Sequence, residues 1–190
     1  MRPDLQNGTE LADRYTLVRM LGAGAQTQTW MATDRMTKAS VALKILTGTD
    51  LSAGSLRTEW QTSIRMMHAH IVRVFEFHED NDAVFYSLQF VDGADFSVLS
   101  GAPLADVLQP IALIAAALQY SHGKGVVHRD IKASNLLLDR NGAPYLTDFG
   151  SSSLTSALSS GGSPIAASPQ SLAGEPAQPS DDVFALGGLI

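Results

Sequence analysis

The 190-residue sequence contains no cysteine, which removes disulfides, thiolate metal sites and thiol nucleophiles together. That composition suits a reducing compartment, and the cytoplasm is the expected location. Basic residues are the minority, 13 Lys and Arg against 19 Asp and Glu, for a net charge of -6. No basic run and no interleaving of aromatic with basic residues would track a phosphate backbone, so no nucleic-acid partner is expected. Long apolar runs are lacking as well: the longest, 111–118, fits a buried helix, so no membrane segment is expected within the chain. Residues 1–10 also lack the basic-then-apolar order of an export signal. What the chain does have is 45% hydrophobic residues, enough for a sizeable core in a soluble globular protein.

Along the first ninety residues, stretches 15–21, 27–33, 41–46, 71–77 and 84–90 are rich in β-branched, aromatic and aliphatic residues separated by turn signals, and predict strands. One helix interrupts them. Over 56–67, Leu56, Trp60, Ile64 and Met67 recur at helical spacing and predict the buried stripe, with Glu59 and Arg65 off it. After Gly93 the pattern turns helical over 104–122, followed by short strand-like pieces at 126–127, 136–138 and 145–147. Residues 151–180 are dominated by Ser, Ala, Gly and Pro without a period, which reads as a loop.

Several short motifs carry chemistry. Leu21-Gly22-Ala23-Gly24 falls between two predicted strands, where glycines let backbone N–H groups approach phosphates; alone, such a turn is more often a plain hairpin. Lys44 ends Val41-Ala42-Leu43-Lys44, a lysine inside an apolar strand. More specific is His128-Arg129-Asp130-Ile131-Lys132-Ala133-Ser134-Asn135, which sets a carboxylate, an ammonium and an amide within six residues. Asp148-Phe149-Gly150 follows and adds a second oxygen ligand of the kind a hard cation requires. The joint occurrence of these motifs in this order is what carries weight.

On these motifs the chain resembles the eukaryotic-type serine/threonine protein kinases from about residue 15 to 190, and is most similar to their bacterial members. The resemblance implies an α+β, two-lobed kinase fold. Its N-lobe (1–91) would be a five-stranded antiparallel sheet plus one helix, and its C-lobe (92–190) mainly helical and incomplete. It further implies ATP and Mg²⁺ as cofactors and proteins as substrates. By the same resemblance Asp130 is the catalytic base, with Lys132 pointing to the serine/threonine branch, and Lys44 holds the α- and β-phosphates with Glu59 as its helical partner. Gly22 and Gly24 match the phosphate-covering loop, and Asn135 and Asp148 hold the metal. Thr29, Ala42 and Leu137 flank adenine, and backbone groups of Gln89 and Val91 bond it. Asp182 matches an aspartate that braces the catalytic loop, and Arg129 one that pairs with a phosphorylated residue among the hydroxyls of 151–163.

The chain departs from the family's pattern in four features. Thr27 replaces the third loop glycine and Thr29 the adenine-covering valine. Ser63 stands where a bulky apolar residue is usual, with Ile64 the expected substitute. Ser168-Pro169-Gln170 replaces Ala-Pro-Glu, so the usual glutamate salt bridge is lost. All lie outside the phosphoryl-transfer group, so activity is the expected reading. A non-catalytic pseudokinase that binds nucleotide or a partner is the alternative, and transfer to a small-molecule hydroxyl a weaker third. Because the matched helical lobe is incomplete, marginal stability and self-association through the apolar faces of 104–122 and 183–190 are expected.

Overall fold

The computed structural model describes residues 4–49, 52–79, 83–149 and 168–190. They form two compact units. The first holds the described residues up to Ile64 together with Arg73–Phe90, and the second holds Arg65–Val72 with Val91–Ile190.

In the first unit, strands β1 (Glu10–Leu11), β2 (Tyr15–Ala23), β3 (Thr27–Asp34), β4 (Ser40–Leu46), β5 (Val74–Glu79) and β6 (Val84–Gln89) build one antiparallel sheet in the order β1-β2-β3-β4-β6-β5. This is the expected five-stranded sheet with a two-residue edge strand added. Side chains alternate across it. Tyr15, Leu17, Trp30, Ala32, Leu43, Ile45 and Phe85 share one buried cluster. Ala42 and Lys44 therefore face the other way from β4, as Tyr86 and Leu88 do from β6, and all four are buried. Near the sheet's edge Arg14 grips Asp34 with two bonds, Nε to Oδ1 at 3.0 Å and Nη2 to Oδ2 at 2.8 Å, and reaches Glu76 at 2.6 Å. The guanidinium holds the buried Asp34 carboxyl well below the usual carboxylate range, with Met36 and Thr37 N–H groups adding to it.

Helix α1 (Ala53–Ser63) is capped by Ser52, whose side chain accepts from the Ser55 N–H at 3.1 Å. Its buried residues are Leu56, Glu59 and Ser63. The stripe expected from spacing is therefore displaced. The helix ends at Ser63, Ile64 is 37% and Met67 66% exposed, and Glu59 lies on the buried face. Ile64 does not substitute for the small Ser63. Trp60 sits at the margin, its indole N–H donating to Phe75 O at 3.2 Å and its ring tilted against Phe77.

The strand expected at 71–77 starts only at Val74. Ile71 instead forms a parallel bridge with Leu146, and the Val72 N–H donates to Leu146 O at 2.9 Å. This groups Arg65–Val72 with the second unit, while the later division falls between Phe90 and Val91. Met66 and Ile71 are buried in that unit's core beside Leu118, Leu136 and Leu146.

The second unit carries β7 (Gly93–Asp95), β8 (Leu136–Asp139) and β9 (Pro144–Leu146) as one antiparallel sheet, with no strand at 126–127. Gly93 lies so close to β8 that a Cβ there would come within 1.8 Å of the Leu138 carbonyl oxygen. The long helix α2 (Leu104–Gly123) buries Val107, Ile111, Ile114, Ala117, Leu118 and Ser121 along one stripe. At twenty residues, with a mean hydropathy of 1.3 over an 18-residue stretch, it is long and apolar enough to cross a membrane. The expectation that no segment reaches that length counted only its central run, 111–118; a third of the apolar stretch is buried within the protein. Helices α3 (Pro169–Leu172) and α4 (Pro179–Gly187) complete the unit. Among the faces expected to lack cover, Leu104, Leu108, Val183, Phe184 and Ile190 are exposed, while Ala185 and Leu186 are buried.

Candidate active site

Each unit holds one cluster of the residues singled out above. In the first, Lys44 Nζ donates to Glu59 Oε1 at 2.7 Å, with both side chains buried. A buried charge must be paired, and each supplies the other's partner. That pairing is why a glutamate occupies the inner face of α1. Gly22 pairs with Thr29 across the β2–β3 hairpin. A Cβ at Gly22 would meet nothing within 4 Å, and one at Gly24 only ordinary contacts from 3.7 Å, and neither glycine has a left-handed φ. The fold itself does not require glycine at these two positions. Ala42 is buried opposite Met31 and Leu88. Gln89 ends β6 with its backbone N–H already donated to Arg73 O at 2.7 Å.

In the second unit, three side chains converge. Lys132 Nζ donates to Asp130 Oδ2 at 2.8 Å, and Asn135 Nδ2 donates to the same oxygen at 2.9 Å and to the Asp130 carbonyl at 2.8 Å. The carboxylate is thereby held in one orientation, with Oδ1 left over among the described residues. Both amide donors of Asn135 are spent, so its own Oδ1 is the atom it can offer a cation. The Thr147 N–H donates to the Asn135 carbonyl at 3.0 Å, which ties the segment leading into Asp148 to the one carrying Asn135. Asp148 and Arg129 both adopt left-handed φ, 66° and 69°, a strained conformation for residues with side chains. Val91 and Leu137 also lie in this unit, Leu137 half-buried in β8 opposite Asp95 and Tyr145. No group of three or more His, Asp or Glu side chains forms a metal cage among the described residues. Two hard oxygen donors without a cage suit Mg²⁺, which keeps waters and takes phosphate oxygens.

The loop is held from below by Asp182, which is 1% exposed on α4. Its Oδ2 accepts the His128 N–H at 2.8 Å and its Oδ1 the Arg129 N–H at 2.7 Å. His122 Nε2 also meets Oδ2 at 2.7 Å, a partner the sequence reading did not name. His128 Nε2 lies 2.8 Å from Thr147 O, and its Nδ1 accepts the Asp130 N–H at 3.3 Å. Only the neutral tautomer with hydrogen on Nε2 satisfies both neighbours. Burial pushes this imidazole below its usual value, in accord with that neutral form. Phe149 is buried edge-on to the ring at 4.7 Å.

Ser168, standing where alanine is usual, caps α3 by accepting the Ser171 N–H at 3.1 Å and donates to Asp181 at the start of α4. Gln170 is exposed. The hydroxyls of 151–163 expected to answer Arg129 lie outside the described residues.

These shifts set a pH dependence. An unfolded chain takes up a proton on His128 near pH 6.5 that the folded imidazole resists, so stability is present above that pH and declines as pH falls below it. His68, lowered by burial and by neighbouring His70, acts in the same sense. Asp34 adds a second loss only below about pH 4, where an unfolded carboxylate protonates and the folded one does not. Thermal melting is expected to decline in two stages, from about pH 6.5 and again below about pH 4.

Residues 15–190 match the protein kinase domain family. This chain belongs to that family. Among kinase relatives, it is 29% identical over 197 residues to the serine/threonine-protein kinase PrkC of Bacillus subtilis, covering 96% of this chain and 30% of that protein. It is 30% identical to the DNA damage-responsive serine/threonine-protein kinase RqkA of Deinococcus radiodurans, covering 98% of this chain and 30% of that one. The chain thus spans about a third of the length of these curated relatives. The crystal structure of the Mycobacterium tuberculosis PknI kinase domain superposes with a TM-score of 0.73 at 27% identity, over 97% of this chain and 74% of that one. Kinase membership and kinase fold agree with the motifs and with the two clusters.

Proposed function

We propose that this chain is the catalytic region of a protein serine/threonine kinase that transfers the γ-phosphoryl group of ATP to Ser or Thr hydroxyls of proteins. The observation that carries the reading is the Asp130 carboxylate, oriented through Oδ2 by Lys132 and Asn135 on a loop bound to buried Asp182. Oδ1 then takes the proton of the substrate hydroxyl. That hydroxyl oxygen bonds to the γ-phosphorus as the bond from phosphorus to the β–γ bridging oxygen breaks, and ADP leaves. Lys132, beside the same carboxylate, steadies the transferring group. Asn135 and Asp148 would hold Mg²⁺, which supplies neutralisation of the phosphate charge. Lys44, fixed by Glu59, takes the α- and β-phosphates. Gly22 and Gly24, whose Cβ space is open, leave room for those phosphates beside the backbone, with Thr29, Ala42 and Leu137 flanking adenine. The Gln89 carbonyl and backbone groups of Val91 are assigned to adenine edges, the Gln89 N–H being already engaged. The first unit takes the N-lobe role and the second, Arg65–Val72 included, the C-lobe role. The cysteine-free composition supports action in the cytoplasm.

The test is transfer of labelled γ-phosphate to a generic protein, with phosphoamino-acid analysis and with free sugar and aminoglycoside as parallel acceptors. Mg²⁺-dependent label on Ser and Thr of protein, lost on chelation, is the expected result. Nucleotide binding without transfer to any acceptor would replace this reading with a non-catalytic binding module, and label on the small acceptors alone would replace it with a small-molecule kinase.

A further inference from the structure

Helix α1 has little apolar surface with which to hold its place. Of its three buried residues, Leu56 is the only large aliphatic one. The others are Glu59 and the small Ser63, one turn apart on the same face. The helix also has no acidic residue in its first turn and no basic residue in its last to strengthen it through the dipole. At its margin Trp60 donates to Phe75 O and Arg57 pairs with Glu79, both on β5, while its inner face depends on what Glu59 bonds.

Among the described residues, two side chains bond Glu59, and both come from one rung of the sheet. Lys44 on β4 and Tyr86 on β6 are cross-strand partners on the same face. Lys44 Nζ donates to Glu59 Oε1 at 2.7 Å, and the Tyr86 hydroxyl donates to the same oxygen at 2.6 Å. Tyr86 is 1% exposed. A phenol in such a place needs an acceptor, and a bond to a charged acceptor is among the stronger ones.

We infer that Tyr86 is a positioning residue for phosphate transfer: its hydroxyl fixes the Glu59 carboxylate, and with it α1, so that Lys44 is held in one place. It acts through Glu59 and touches no substrate. Its effect on turnover rests on the kinase reading above, whereas its effect on α1 does not.

The experiment uses the full chain with Tyr86→Phe, which removes only the hydroxyl, and with Tyr86→Met, which keeps apolar volume without the ring. Amide hydrogen exchange and phosphate transfer are measured on both. In each variant the α1 amides of 53–63 are expected to exchange about tenfold faster while β2 and β3 keep wild-type protection, the loss of one charge-assisted buried bond being of that order. The kcat is expected to fall about tenfold with KM for the protein substrate unchanged. In a Glu59→Ala background, adding Tyr86→Phe should change α1 exchange less than twofold, because the acceptor is already gone. Wild-type exchange in α1 for Tyr86→Phe, or an equal acceleration across the sheet that persists in the Glu59→Ala background, would overturn the inference and leave Tyr86 as packing alone. If the wild-type chain transfers no phosphate, the kinase reading fails on that arm, and the exchange arm still decides whether Tyr86 holds α1.

Discussion

Asp130→Asn is expected to cut phosphate transfer by about 10²–10⁴-fold, the usual contribution of a positioned general base. The asparagine side chain has the same size and can still accept from Lys132 and Asn135 through its one oxygen. The atom that replaces Oδ1 is then an NH₂, a donor where the reaction needs an acceptor. Nucleotide affinity should stay within about twofold, because Asp130 is assigned no metal or phosphate contact, and the loss should fall in kcat rather than KM. Asp148→Ala separates the two roles: it should abolish the Mg²⁺-dependent part of nucleotide binding. Steady-state kinetics and nucleotide titration with and without Mg²⁺ on both variants check the pair. An Asp130→Asn protein that turns over like the wild type would remove the assigned base.

The largest effect on stability is expected from Asp182→Ala. The carboxylate is buried and serves three partners: the His128 N–H, the Arg129 N–H and the His122 ring. Removing it strands two backbone donors. Each unsatisfied buried group costs about 1–3 kcal/mol, against a total stability for a domain of roughly 5–15 kcal/mol. For a chain of this size, about 1 kcal/mol shifts the melting temperature by roughly 2–4 °C, so a loss of about 3–5 kcal/mol lowers it by roughly 6–20 °C. Asp182→Asn should recover only part, since an amide offers one acceptor oxygen where two N–H groups wait on opposite oxygens. Arg129, already in a left-handed conformation, would lose the bond that holds it there. Thermal melting of the two variants tests this ranking, and an alanine variant as stable as the asparagine one would show that the two amides find other partners.

Where the sequence was legible, one physical rule acted alone. Strands β2, β3, β4 and β6 follow from runs of β-branched and aromatic residues between turns, and α2 from its length and apolar stripe. The reading of α1 failed where two rules competed. Apolar spacing placed Glu59 outside, but an ion pair with Lys44 makes burial of that carboxylate affordable, and the buried face moved to Leu56, Glu59 and Ser63. The segment beginning at Ile71 reads as a strand by propensity, yet its backbone pairs with Leu146, far along the chain, and no local pattern reports that. The motif residues Asp130, Lys132 and Asn135 were visible because they are close in sequence as well as in space. Tyr86 was invisible for the converse reason: in an apolar strand a tyrosine reads as filler until the structure shows its hydroxyl on Glu59.

The placement of Arg65–Val72 has a consequence for how the chain is made. This stretch leaves the ribosome between strands of the first unit, yet the Val72 N–H and the Ile71 backbone find their partner only at Leu146. Some seventy residues must be synthesised in between, several seconds at roughly 5–20 residues per second. During that interval the side chains of Met66, Ile71 and Val72, all buried in the finished protein, have no core to enter. The nascent first unit therefore emerges with an apolar strap whose folded-state partners are still to come, a surface left exposed until β9 arrives.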